Sequence, residues 1–351
     1  MYQELVHRLA AEERLSVSEC ENLYYSHDLD ALCAAANEVR HARANGTAYL
    51  GLRREITYTT ICGNACPVCG RADDRESLGL ISRSVDEVAT LAALAANDGY
   101  RHIRLVGGAN PDLPYEFYLD VIVAIRALCP EVHIQAFAPA QVAQIADAGG
   151  VSLRQALTDM RDAGIDSLPG DGAEVFSPRV RRMRCPAKVS GGTWLTIMRE
   201  ANALGIAGEA TMTFGHLETP REKAEHLTRL RDLQDDEGGL RAYTPLAAAL
   251  PATGPWQVLP LDADSIRRET AIARLMLDNV THIRYAYACS DLSLCRAALA
   301  AGADDVCVTV SDTTAETPPP DMTSVRDLIE ALGMTMRESE YDRRCQSCEM
   351  F

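Results

Sequence analysis

Eight short β-rich runs alternate with longer amphipathic stretches between residues 55 and 332, a pattern that restricts the chain to a parallel sheet with helices outside it. The runs are 55–61 (EITYTTI), 102–107 (HIRLVG), 132–137 (VHIQAF), 165–168 (IDSL), 206–212 (IAGEATM), 241–246 (RAYTPL), 282–287 (HIRYAY) and 305–310 (DVCVTV). Helices are predicted near 85–97, 115–128, 152–163, 193–203, 221–235, 264–279, 291–300 and 323–332. The Ser84–Glu87 segment opens the first of these with a capping box, in which the serine and glutamate side chains satisfy free amides of the first turn. Eight such units are the number that closes a (β/α)8 barrel, and 351 residues hold one with additions. An open doubly wound sheet is the competing architecture, because runs such as 165–168 are weakly signalled. The first fifty residues read as helices, with a second capping box at Ser16–Glu19 and an Ala-rich stretch over 27–43. The expected organisation is a helical extension over 1–50, a barrel over 51–340 and a tail over 341–351.

Composition narrows the function classes. The formal net charge is −16 and no basic block occurs, which argues against a nucleic-acid partner because phosphate binding needs clustered Lys and Arg. No run approaches the roughly 20 apolar residues that span a bilayer, and the charged start MYQELVHRLAAEERLS has no apolar signal core. These features predict a cytoplasmic protein with no membrane partner. Its twelve cysteines are then expected as thiols or metal ligands rather than disulfides. Cys129, Cys289 and Cys307 sit in apolar runs and read as small hydrophobic residues.

Barrel sites are built where strands end, so the residues after each run carry the functional signal. The first run is followed by Cys62, Cys66 and Cys69 in a C-x3-C-x2-C array. Three thiolates on one loop can hold three irons of a cubane [4Fe–4S] cluster and leave the fourth iron open to a ligand, whereas electron-transfer clusters usually take four cysteines. A structural zinc loop is the alternative and wants a fourth protein ligand. The second run ends in Gly107-Gly108, which allows backbone to approach a ligand closely.

With these motifs the sequence resembles the menaquinone and deazaflavin branch of the radical S-adenosylmethionine enzymes: aminofutalosine synthase, dehypoxanthine futalosine cyclase and the second subunit of FO synthase, the first being nearest. The resemblance runs from about residue 14 to residue 341, through LYYSHDLDALCAAANEVR, ITYTTIC, NPDLPYEFYLD, AGIDSLPGDGAE, CPAK, ATMTFGHLET, HLTRLRDLQDDEGGL and ARLMLDNVTHIRYAY. It implies a (β/α)8 barrel, a [4Fe–4S] cluster on Cys62, Cys66 and Cys69, and S-adenosylmethionine with its methionine group supported by Gly107 and Gly108. It implies a 5′-deoxyadenosyl radical used on a small-molecule substrate, an enol ether or nucleoside-like compound, with a reductant such as flavodoxin or ferredoxin and a monomer or homodimer. In the nearest relative the radical adds to the alkene of an enolpyruvyl-ether benzoate; the other two begin with hydrogen abstraction. A non-catalytic iron–sulfur or zinc protein is the reading from outside enzymology, against which the intact Gly107-Gly108 argues.

Several positions depart from the family pattern. Val68, expected beside the cofactor adenine, replaces an aromatic residue. Thr60 stands where Asn is usual, Asn110 where the nearest relative tends to have His, and Glu209 where small or amide residues are common. After Ala303-Asp304-Asp305 the family pattern gives way to Val306–Ser311. These changes are expected near the barrel mouth, where they would alter substrate choice.

Glu174, His216 and Asn110 are the candidate catalytic residues, and His133 joins Glu174 as a candidate cofactor contact; Glu218 lies beside His216 after the fifth run. Arg181 and Lys188 are candidates for an anionic substrate group. Cys345 and Cys348 form a C-x2-C pair in a terminal segment. His226 and the Arg229–Arg231 region read as the solvated face of an amphipathic helix.

Overall fold

Strand β1 (Thr47–Thr59) closes the sheet on itself. The computed structural model describes residues 2–64, 66, 80–248, 262–287, 292–313 and 322–339. Within them, β1 is followed by β2 (His102–Gly107), β3 (His133–Gln135), β4 (Ser167–Leu168), β5 (Ala207–Phe214), β6 (Leu240–Ala247), β7 (His282–Tyr287), β8 (Asp305–Ser311) and β9 (Thr335–Glu338). Each strand from β2 to β7 pairs in parallel with the next, and β1 pairs with both β2 and β8. The barrel is closed and the open doubly wound alternative is excluded. Strand β9 adds to β1 at Thr47–Leu50, below β2. It was not anticipated, nor was the extension of β1 ahead of residue 55, where Ala48 and Leu50 are buried.

The helices are α1 (Tyr2–Ala10), α2 (Val17–Tyr24), α3 (Leu29–Ala44), α4 (Val85–Asn97), α5 (Tyr115–Leu128), α6 (Pro139–Gly149), α7 (Leu153–Ala163), α8 (Pro178–Arg184), α9 (Gly191–Ala203), α10 (Pro220–Glu237), α11 (Ala263–Met276), α12 (Leu292–Leu299) and α13 (Met322–Ala331). Both predicted capping boxes form: Ser16 and Ser84 accept from the amides of Glu19 and Glu87, whose carboxylates return the bond. Helices α6 and α8 were missed, although each carries proline in its first turn and α6 ends on a left-handed Gly150. None of the described helices is long and apolar enough to cross a membrane.

Side chains alternate across a strand, so Ile56, Tyr58, Ile103, Leu105, Ile134, Leu168 and Ala210 face the helices and form the main core there. The N-terminal helices form an outer layer, with α1 on α3, α2 on α10 and α3 on α11. Arg14, between α1 and α2, ties this layer down by donating to Asp278 at 2.8 Å and Asp235 at 2.9 Å.

This layer corrects the reading of α10 as solvent-facing. Arg231 is buried and donates to the Leu15 carbonyl at 3.1 Å. His226 is buried too: its Nε2 donates to the Thr211 carbonyl at 3.0 Å and its Nδ1 accepts from the Phe176 amide at 3.3 Å. That arrangement needs the neutral ring, and burial holds its pKa down to about 3 from an ordinary 6.5. Unfolding frees the ring to take a proton below pH 6.5. The stability this residue contributes is therefore complete above that pH and falls by about 1.4 kcal/mol per pH unit on acidification, until the folded ring itself protonates. Urea denaturation at stepped pH, compared with a His226→Gln variant, is expected to show that slope in the parent protein and lose it in the variant.

The barrel lumen is unusual. Interiors of this fold are dominated by branched aliphatic side chains. Here the inward positions carry a chain of charges that alternate in sign. At the base, Asp305 accepts from Arg284 at 2.7 Å, and Arg284 also bonds Glu209. Glu209 lies 3.9 Å from Arg53, and Arg53 lies 3.9 Å from Glu55. Glu55 is 3.2 Å from Arg104, its direct neighbour across β1 and β2, and Arg104 ends the chain on Asp171. The departure at Glu209 thus lies in the packed lumen as a counter-charge, not at the barrel mouth.

Candidate active site

The C-terminal ends of β1 to β6 enclose a cavity of about 260 Å³. Cys62 and Cys66 line it on one side, Gly107 and Gly108 above β2, Gln141 and Gln144 from α6, and Asp171, Glu174, Lys188, Thr211 and Thr213 opposite. The candidates Cys62, Cys66, Gly107, Gly108, Glu174 and Lys188 are therefore brought together. Cys69 and Val68 lie outside the described residues, as do Cys289, Cys345 and Cys348.

The cysteine loop is stitched to the end of β2. The Gly63 amide donates to the Ala109 carbonyl at 2.8 Å, the Gly108 amide to the Thr59 carbonyl at 3.1 Å, and the Ala109 amide to Cys62 Sγ at 3.4 Å. The two glycines have a packing reason as well as a ligand-facing one. A Cβ on Gly107 would fall in the Tyr58 ring, and one on Gly108 would overlap the Ile61 carbonyl and stand 2.7 Å from Cys62 Cβ. Gly108→Ala is expected to displace the cysteine loop at a cost of about 1–3 kcal/mol. The check is iron per chain after reconstitution, which should fall sharply while the circular dichroism spectrum stays that of the parent.

Glu174 sits at φ +50°, a left-handed conformation unusual for a residue with a side chain, and the loop around it is held firmly. Arg181, a candidate for an anionic substrate, is spent here: it donates to the carbonyls of Gly172 at 3.2 Å and Ala173 at 2.7 Å, and to that of Val189. The Glu174 carbonyl accepts from the Thr213 amide at 3.0 Å. Lys188 Nζ donates to Glu174 Oε1 at 2.8 Å. Burial pushes the Glu174 carboxyl up, but Lys188, then Arg184 and a Thr213 bond outweigh it and bring the pKa down to about 2. The same pairing raises Lys188 against its own burial. The cavity wall thus presents an ionised carboxylate, an acceptor suited to sugar hydroxyls.

Three other candidates lie away from this cavity. His133 begins β3 at the opposite end of the barrel, where its Nε2 is 2.7 Å from Ser167 Oγ and its ring meets His102 edge-on. The expectation that it lies where barrel sites are built is corrected by this register. Burial holds it near neutral form, with a pKa of about 4. His216 is buried in the loop after β5, its Nε2 3.1 Å from the Thr213 carbonyl and its Nδ1 3.1 Å from Glu218, which also accepts the amides of Gly215, His216 and Leu217. Asn110 donates to Thr59 Oγ1 at 3.2 Å and accepts the Asp112 amide at 3.0 Å, so it pins the glycine segment from behind. Thr60 likewise accepts the Ile81 amide at 2.9 Å.

Gln141 and Asp171 were missed. Gln141 Nε2 donates to Tyr58 Oη and to the Gly107 carbonyl, both at 2.8 Å. Recognising α6 from its first-turn proline would have placed Gln141 one turn from the strand end. Asp171 carried no local signal, because its partner Arg104 is distant in sequence.

The donor chemistry fits a cluster as far as it is described: two cysteines share the cavity and one receives an amide. Among the described residues no group of three His, Cys, Asp or Glu gathers as a metal site. Residues 56–230 match the model of the Radical SAM superfamily. The chain is 34% identical over 299 residues to aminodeoxyfutalosine synthase of Thermus thermophilus, with 84% of this chain and 80% of that protein covered. It is 32% identical over 345 residues to the 5-amino-6-(D-ribitylamino)uracil–L-tyrosine 4-hydroxyphenyl transferase of Methanospirillum hungatei, with 94% and 93% covered. Methylornithine synthase has a similar crystal structure, with TM-score 0.72 at 16% identity over 95% of this chain and 97% of that one, a likeness of fold. This chain belongs to the radical SAM superfamily.

Proposed function

We propose that the cavity binds S-adenosylmethionine beside a [4Fe–4S] cluster held by Cys62, Cys66 and Cys69, and that the enzyme joins the adenosyl group to the alkene of an enol ether. The observation that carries the reading is the meeting of Cys62, Cys66, the Gly107-Gly108 backbone and the Glu174–Lys188 pair in one cavity. When bound, and given one electron from a flavodoxin- or ferredoxin-type reductant, the cluster supplies reductive cleavage of the sulfonium to methionine and a 5′-deoxyadenosyl radical.

The chain's own residues bind and orient. The Glu174 carboxylate accepts from ribose hydroxyls, and Lys188 keeps it ionised. Gln141 fixes the Gly107 carbonyl, so the backbone that faces the cofactor does not shift on binding. Val106, Ala138, Pro169 and Leu246 give the remaining wall an apolar surface that excludes water from the reacting atoms. The likeness to aminodeoxyfutalosine synthase supports radical addition over hydrogen abstraction.

The test is anaerobic turnover of reconstituted protein with S-adenosylmethionine, dithionite and either an enolpyruvyl-ether benzoate or its benzylamine counterpart, read by mass spectrometry. An adenosyl adduct is expected. Free 5′-deoxyadenosine formed in step with a different product would replace addition by abstraction.

A further inference from the structure

The charged chain in the lumen ends at the cavity, and it ends on a negative group. Read upward it runs Asp305, Arg284, Glu209, Arg53, Glu55, Arg104, Asp171: four carboxylates and three guanidiniums in strict alternation. The lower members are taken up by one another in the packed lumen, with side chains 1% to 6% exposed from Asp305 to Arg53. The upper members are more exposed, 21% at Glu55, 12% at Arg104 and 41% at Asp171. Asp171 lines the same cavity as the cysteines.

Its backbone is fixed by contacts that do not involve the carboxylate, whose side-chain partner is Arg104. The Asp171 carbonyl accepts from Trp194 Nε1 at 3.2 Å, and the neighbouring Gly170 carbonyl accepts from Thr211 Oγ1 at 2.7 Å. The backbone is thereby anchored while the side chain reaches Arg104 in the lumen. One oxygen of the carboxylate is held by the guanidinium, and the side chain is 41% exposed and lines the cavity.

From this geometry we propose that Asp171 sets substrate choice by accepting a cationic hydrogen-bond-donating group, an ammonium, at the inner end of the cavity. Such a group continues the alternation of charge, whereas a carboxylate there would face Asp171 across a few ångströms in a partly dry site. Electrostatic complementarity of this kind acts most strongly on discrimination between partners. The inference rests on the proposed enol-ether reading, because it specifies what the non-reacting end of that substrate carries: an amine in place of an acid.

The two matched enolpyruvyl ethers, one of a benzoate and one of a benzylamine, separate the cases. Their dissociation constants are measured by calorimetry on the reconstituted protein with S-adenosylmethionine present and no reductant. The amine is expected to bind at least about tenfold tighter than the acid. Asp171→Asn is expected to erase that preference, and Asp171→Glu, which keeps the charge, to retain most of it. Thermal midpoints of both variants are taken alongside, so that loss of binding through unfolding at Arg104 is recognised; the Glu variant then carries the comparison. Equal affinity for the two ethers, a preference for the acid, or a preference unchanged in Asp171→Asn overturns the proposal. So does failure of the amine to bind at millimolar concentration. A loss of S-adenosylmethionine affinity in Asp171→Asn that matches the loss of amine affinity also overturns it, by placing the residue on the cofactor. Absence of an adduct with both ethers under reducing conditions sinks the addition reading alone, since the binding comparison needs no turnover.

Discussion

Cys66→Ala is expected to lower reductive cleavage of S-adenosylmethionine by well over about a hundredfold, beyond what loss of a supporting contact around a metal usually costs. Cys66 is 4% exposed and lines the cavity together with Cys62. The loop that carries both is fixed to the end of β2 by backbone bonds that do not involve the Cys66 side chain. Removing the thiol therefore removes a ligand without loosening the barrel. Iron and sulfide per chain, the visible absorbance of the reconstituted protein and methionine released under dithionite should fall together, while the far-ultraviolet circular dichroism spectrum holds. Cleavage retained at the parent rate would refute the assignment of this cysteine.

Glu209→Gln is expected to destabilise the fold by about 3–5 kcal/mol, the usual result of removing one partner from a buried ion pair. Glu209 is 5% exposed and serves two guanidiniums, Arg284 in direct contact and Arg53 at 3.9 Å. Burial pushes its carboxyl up, yet Arg284 and then Arg53 bring it down to about 2, so the group is ionised at neutral pH. The amide keeps the shape and drops the charge, leaving Arg284 with Asp305 and Arg53 with Glu55. Chemical denaturation monitored by intrinsic fluorescence measures the loss. A Glu209→Leu, Arg284→Met double variant should recover part of it, because it removes a charge of each sign and leaves Asp305 as the remaining strain. A single variant as stable as the parent would show that Asp305 and Glu55 alone suffice to hold the two guanidiniums.

The periodic features of the sequence carried the architecture. Apolar alternation in HIRLVG and DVCVTV located β2 and β8 to within a residue, and the Ser84–Glu87 box located α4, because these signals depend on neighbours along the chain. Strand β9 and the early part of β1 escaped because β9 pairs with β1, and the early part of β1 with β9 and β8, contacts between residues far apart in sequence. The same holds for the site. The cysteine loop and paired glycines are local motifs at strand ends, and the structure brings the described ones to one cavity. His133 misled because the strand around it is only three residues long, which put it at the wrong end of the barrel. The polar residues of α10 misled because amphipathic spacing cannot distinguish solvent from buried backbone groups, those of Thr211 and Phe176 for His226 and that of Leu15 for Arg231. Asp171 was invisible for the reason that makes it informative: its role is set by Arg104, Glu55 and the rest of a charge chain assembled from five strands.

The most direct measurement is reductive cleavage itself, by the native chain loaded anaerobically with iron and sulfide and given S-adenosylmethionine and dithionite. The account predicts methionine release that requires both the cluster and the reductant, with the adenosyl group recovered as 5′-deoxyadenosine or, with an acceptor present, as an adduct. A protein that holds a full complement of iron and sulfide, binds S-adenosylmethionine and returns it intact after reduction would contradict it.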